Sequence, residues 1–167
     1  MNHPPQHKID AKCVYVPMRH LGRDSEAWDW DRINKEVRSK KKTEIHPVIQ
    51  YFTGVTRYDI EAHGVKDYLN ENPPTFIFRR LKLLEFERVR TRLIMEDPYG
   101  AQRLAVQHAL EEIQNVDVKI DNLGKKPLDD DDCEEIADAI GRDTFYEIGQ
   151  AIIKASGDLA DAERKSD

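Results

Sequence analysis

From Leu84 onward, apolar residues recur at the three-to-four spacing of an α-helix, and this narrows what the chain can become more than any other feature. Phe86, Val89 and Leu93 fall at i, i+3 and i+7, which predicts a helix from Leu84 to about Glu96. Glu85 and Glu87 near its start and Arg88, Arg90 and Arg92 further on suit the helix dipole. Asp97-Pro98 reads as an N-cap followed by proline at the first helical position, opening a helix to about Asn115. Ala101, Leu104, Ala105, His108 and Ile113 line one side of it, and the alanines admit a close neighbour. Asp129 or Asp130 caps a further helix carrying Cys133, Ile136 and Ile140, which Gly141 ends. Asp143 is expected to cap the last helix, Thr144 to Ser156, with Phe145, Ile148 and Ile152 buried and Gly157 as its stop.

Ahead of these helices the pattern is mixed. Thr75-Phe76-Ile77-Phe78-Arg79 alternates as a strand, with Phe76 and Phe78 on one face and Ile77 on the other. Cys13-Val14-Tyr15-Val16 reads as a short strand that Pro17 confines to an edge. Val116, Val118 and Ile120 alternate with Asp117, Lys119 and Asp121 as a third, half-buried strand. Asp24 or Ser25 caps a helix to about Lys40, with Trp30, Ile33 and Val37 on one face. Trp28 cannot share that face, so Trp28 and Trp30 are the candidate interface residues. The fold class is therefore α+β, mainly α. Residues 1–46 read as an irregular N-terminal arm with one helix, 47–160 as a single α+β domain and 161–167 as an acidic tail.

Charge restricts the partners. The net charge of −6 is graded along the chain, +3 over residues 1–46, −1 over 47–116 and −8 over 117–167. An acidic C-terminal third disfavours nucleic acid and anionic membrane as principal partners. The basic run Arg38-Ser39-Lys40-Lys41-Lys42 reads as a solvated helix end. No apolar run approaches the roughly 20 residues of a membrane helix, and Met1-Asn2-His3-Pro4-Pro5 lacks an apolar leader core. Cys13 and Cys133 lie 120 positions apart, which fits neither a disulfide scaffold nor a thiolate metal site.

Chemistry finds little foothold. The chain has no GxxxxGK[ST], GxGxxG, GxSxG or HExxH. His3 and His7 are separated by two prolines and make no closed metal site. Read as a calcium loop, the stretch from Asp117 puts Lys119 and Leu123 where oxygens belong. Asp129–Asp132 reads as a helix start, and His108 as a packed histidine. Arg79 and Arg80 point to opposite faces and cannot form one clamp. The expectation is a non-enzymatic chain with no catalytic residue, metal or cofactor.

The order of segments carries a resemblance. Thr56-Arg57-Tyr58-Asp59, Tyr68-Leu69 and Pro74–Leu81 lead into a helix, and Ala105–Leu110 lies in the Ala-rich helix that follows. Then come the Pro127-Leu128-Asp129 helix start, the helix Ile148–Gly157 and an acidic end. Over residues 47–160 this resembles small morphogenesis proteins of tailed bacteriophages, particularly tail assembly chaperones. Residues 1–46 have no counterpart in it. The resemblance implies a protein that binds unassembled tape measure or tail tube subunits in the host cytoplasm and shields their apolar helical surface. It carries over no functional residue. The alternative is a virion structural protein, a head–tail connector, neck or decoration subunit, holding neighbours through the Trp28/Trp30 helix and the arm. A second alternative is a small nucleic-acid-binding regulator using the Arg38–Lys42 run. Self-association stays open under each.

Overall fold

The computed structural model describes residues 12–20, 25–41, 44–53, 65–70 and 72–165, the last seven of these as backbone only. The arm up to residue 11, with His3 and His7, and the Thr56–Asp59 segment lie outside the described residues. The described chain is α+β and mainly helical, with six α-helices and one small antiparallel sheet. Among the described residues no helix is long and apolar enough to cross a membrane.

The sheet is the middle layer. β1 (Cys13–Tyr15), β2 (Thr75–Phe78) and β3 (Leu110–Gln114) lie in the order β1-β2-β3. Cys13 faces Phe78 and Tyr15 faces Phe76 on one side of β2, while Ile113 faces Phe76 on the other. The register slips between Ile77 and Phe78, leaving Glu111 as an extra residue on β3. Because side chains alternate across a strand, the sheet buries both faces. Cys13, Tyr15, Phe76 and Phe78 enter the larger core, with Val89, Ala101, Ala105, Ile136, Ile148 and Ile152 from the helices. Val14 and Ile77 enter a second core with Trp28, Ile33, Val48, Tyr51, Phe52 and Val65.

The larger core is roofed by α3 (Leu83–Ile94), α4 (Pro98–Ala109), α5 (Asp130–Ile140) and α6 (Arg142–Lys165). The local signals of three of these act as expected. Asp97 accepts the Gly100 amide at 3.0 Å with Pro98 at the first position of α4. Asp129 accepts the Asp132 amide at 2.8 Å, and Asp132 reaches back to the Asp129 amide at 3.2 Å. Gly141 separates α5 from α6 at φ 92°, a conformation that costs a residue with a Cβ. The smaller core is covered by α1 (Trp30–Ser39) and α2 (Pro47–Thr53).

Several expectations are corrected. The helix expected to run to about Asn115 stops at Ala109, and the strand is 110–114 rather than 116–120. Leu110 and Ile113 complete the sheet beside Phe78 and Phe76, whereas Val116 and Ile120 only edge the core. The cap of α1 is Asp29, which accepts the Arg32 amide at 3.2 Å. Ser25 instead closes a local turn, donating to the His20 carbonyl and accepting from the Ala27 amide, and Asp24 lies outside the described residues. Val37 and Leu93, expected inside, are exposed. α6 opens at Arg142, which puts Asp143 in its first turn rather than at the cap. It also passes through Gly157 to Lys165, so the segment expected as a tail from 161 is helical backbone as far as 165. A mid-helix glycine costs about 1 kcal/mol, too little to stop a packed helix. The boundary drawn at residue 46 crosses a core, because Val14, Val16, Trp28 and Ile33 pack against Val48, Tyr51 and Phe52.

Candidate interaction surface

Trp28 and Trp30 point into the molecule. Trp28 is 1% exposed and meets Phe52 edge-on at 5.6 Å and Tyr51 at 6.3 Å between ring centroids. Its backbone bridges to Leu69. Trp30 is half-buried, stacks on Phe52 at 6.2 Å and donates its indole N–H to the Ser25 carbonyl at 3.1 Å. The two residues sit two apart where the chain enters α1, so they reach different parts of one aromatic cluster. Trp28 is therefore a core residue of this chain, while Trp30 keeps part of its surface open.

Beside Val37, Ile45 and Ile49 near α1 and α2, further apolar surface is left open on α3 and α4. Ile94 and Met95 at the end of α3 are 74% and 71% exposed, and Tyr99 in the first turn of α4 is 63% exposed. Leu83 and Leu84 stand exposed at the other end of α3. Val89 is the one fully buried residue of α3, so this helix packs on a narrow stripe and presents the rest outward. Tyr99 packs edge-on against Tyr146 at 4.7 Å and forms the rim of a groove of about 430 Å³.

That groove runs between α4 and α6, with Met18 closing one side. Asp143, Tyr146, Glu147, Gln150, Ala151 and Lys154 line it, all on one face of α6 by their three-to-four spacing. The face beside it, Phe145, Ile148 and Ile152, is buried in the core. Gly149 lets the two helices approach, because a Cβ there would stand 2.5 Å from the Gln102 carbonyl oxygen. Tyr15 donates its hydroxyl to Glu147 at the groove floor, and Glu147 also accepts the Met18 amide at 3.0 Å. Burial first, and then this carboxylate, push the Tyr15 phenol up from its ordinary value, so it stays protonated. The floor is thus pinned while the Tyr99 rim is open.

The other residues singled out in the sequence take structural places. His108 is half-buried, with Nδ1 3.3 Å from Glu85 Oε2. Arg79 holds Glu85 with two hydrogen bonds of 2.8 and 2.9 Å, while Arg80 turns the other way and donates to the Ala155 carbonyl at 3.3 Å. Arg38 and Lys41 are exposed at the end of α1, and Lys42 lies outside the described residues. Cys13 and Cys133 are buried and form no disulfide. Burial raises the Cys133 thiol to about 12. Among the described residues no three His, Cys, Asp or Glu side chains converge to hold a metal ion. The groove was legible only as a second stripe on α6, from Asp143 to Lys154, beside the stripe assigned to the core. No family model, curated protein or solved structure matches this chain.

Proposed function

We propose that this chain is a non-enzymatic binding protein of phage virion morphogenesis, a tail assembly chaperone. It receives an apolar helical segment of an unassembled tape measure or tail tube subunit in the host cytoplasm. The observation that carries this reading is the groove between α4 and α6, rimmed by the exposed Tyr99. Its α6 wall, residues 143–154, is about 16 Å long, room for roughly three turns of a docked helix. Exposed apolar side chains at the end of α3 extend the surface a partner helix would cover. The acidic surface of the C-terminal third keeps such a complex dispersed. The connector or decoration alternative rests on the Trp28/Trp30 helix and the arm; Trp28 is buried in the chain's own core, Trp30 packs half-buried against it, and the arm up to residue 11 lies outside the described residues.

Quantitative mass spectrometry of purified mature particles, set against infected-cell lysate, tests the reading. Abundance in the lysate with absence from particles is the expected result. A fixed copy number relative to the capsid protein would replace it with the structural role. The groove is tested by capture of a tape measure fragment. Tyr99→Glu together with Met95→Lys is expected to weaken capture by about tenfold or more, the range of a buried aromatic anchor, with the fold intact.

A further inference from the structure

A second depression, of about 350 Å³, opens between the end of β2, the start of α3, the end of α4 and the turn before α5. Its wall is predominantly cationic: Arg79, Lys82, Lys125 and Lys126 line it, together with the His108 ring, against Glu85 and Glu111. Both acids are already engaged. Glu85 is held by the two Arg79 nitrogens and accepts the Lys82 amide at 2.9 Å. Glu111, the extra residue of the β3 bulge, pairs with Lys12 at 3.0 Å. Lys82, Lys125 and Lys126 are exposed and make no ion pair among the described residues. His108 Nδ1 is buried at the wall and has no aligned hydrogen bond, although Glu85 stands within ion-pair distance.

The lysine turn is built rather than loose. The Lys125 and Lys126 amides both point to the Asn122 carbonyl, at 3.0 and 3.4 Å. Gly124 adopts φ 76° with its α-carbon against β3, where a Cβ would stand 3.0 Å from the Glu111 carbonyl oxygen. The acidic run that follows lines no part of the depression. Asp129 and Asp132 cap one another's amides, and Asp130 accepts from Gln107. Three positive charges without an ion-pair partner among the described residues thus border one cavity on a chain of net charge −6.

We infer that this cavity binds a small polyanion of the phosphate class, held between Lys82, Lys125 and Lys126. The turn's amides are spent on Asn122, so recognition rests on charge from flexible ammonium groups rather than on a backbone cradle. Pyrophosphate should therefore bind more tightly than inorganic phosphate.

The test titrates the full chain with inorganic phosphate and with pyrophosphate, at ionic strength held constant with sodium chloride, and follows backbone amides by NMR. The expected result is saturable shifts at Gly124, Lys125 and Lys126, stronger for pyrophosphate. Lys125→Ala with Lys126→Ala should weaken binding about tenfold or more without changing the melting temperature. Lys82→Ala should weaken it independently. Lys40→Ala with Lys41→Ala, at the end of α1, should leave it unchanged. Absent shifts, shifts spread evenly over the basic surface, or equal loss in the Lys40/Lys41 variant would overturn the assignment.

Discussion

Gly149 on α6 lies so close to Gln102 on α4 that a Cβ at 149 would stand 2.5 Å from the Gln102 carbonyl oxygen and 2.8 Å from its carbonyl carbon. The obstacle is backbone, which no rotamer change can clear. In an open helix, Gly→Ala would gain about 1 kcal/mol of propensity. Here the overlap outweighs that gain, and Gly149→Ala is expected to destabilise the protein by a net of about 2–3 kcal/mol, as overpacked sites do. Urea denaturation gives the number. A stabilised Gly149→Ala would mean that α4 and α6 separate without cost.

Ile148 and Leu104 looked equivalent as buried aliphatics in the sequence, but the structure separates them. Ile148 is fully buried in the larger core, while Leu104 packs at its edge and is only partly buried. Ile148→Ala is expected to cost about 3–5 kcal/mol and Leu104→Ala about 1–2 kcal/mol, since the cavity term needs a site closed on all sides. Equal losses in denaturant melts would contradict this placement.

Glu36 joins α1 to the start of α2. His46 Nδ1 accepts the Val48 amide at 3.2 Å, which leaves Nε2–H to donate to Glu36 Oε2 at 3.0 Å. Tyr68 donates to the other oxygen at 3.2 Å. The His46 hydrogen bond, aided by Tyr68 and Arg32, holds the Glu36 carboxyl below its ordinary 4.5, against a smaller opposing effect of burial. A carboxyl with a depressed folded-state pKa stabilises above its unfolded value, and the contribution is lost as pH falls through the folded value. Glu36→Gln is therefore expected to be less stable at neutral pH and to lose less stability on acidification. Parallel denaturant midpoints for the two proteins across the carboxylate range would refute the linkage.

Cys133 should be silent toward thiol reagents in the native protein. Its thiol is buried and raised to about 12, so almost none is thiolate at neutral pH. Cys13 is buried in β1 as well. Labelling with a disulfide-exchange reagent should proceed only through unfolding, with both thiols appearing together on addition of denaturant. Rapid native labelling of Cys133 would show that α5 opens locally.

What the amino-acid sequence determined by itself was local. Asp97-Pro98 and Asp129 start helices because a carboxylate satisfies amides one turn away, which needs no distant partner. Gly141 divides α5 from α6 because only glycine takes φ 92° at little cost. Phe76, Ile77 and Phe78 part to two faces because a strand alternates. The tertiary structure decided whatever depends on a distant neighbour. Residues 110–114 could extend α4, but the open edge of β2 claims them, since unpaired strand amides beside a core cost more than a helical turn returns. Trp28 turns inward because Phe52 and Tyr51 arrive from α2 to enclose it. The α4–α6 groove and the lysine-bordered cavity likewise exist only where segments distant in the chain meet. Spacing along one helix cannot announce a surface that two elements build together.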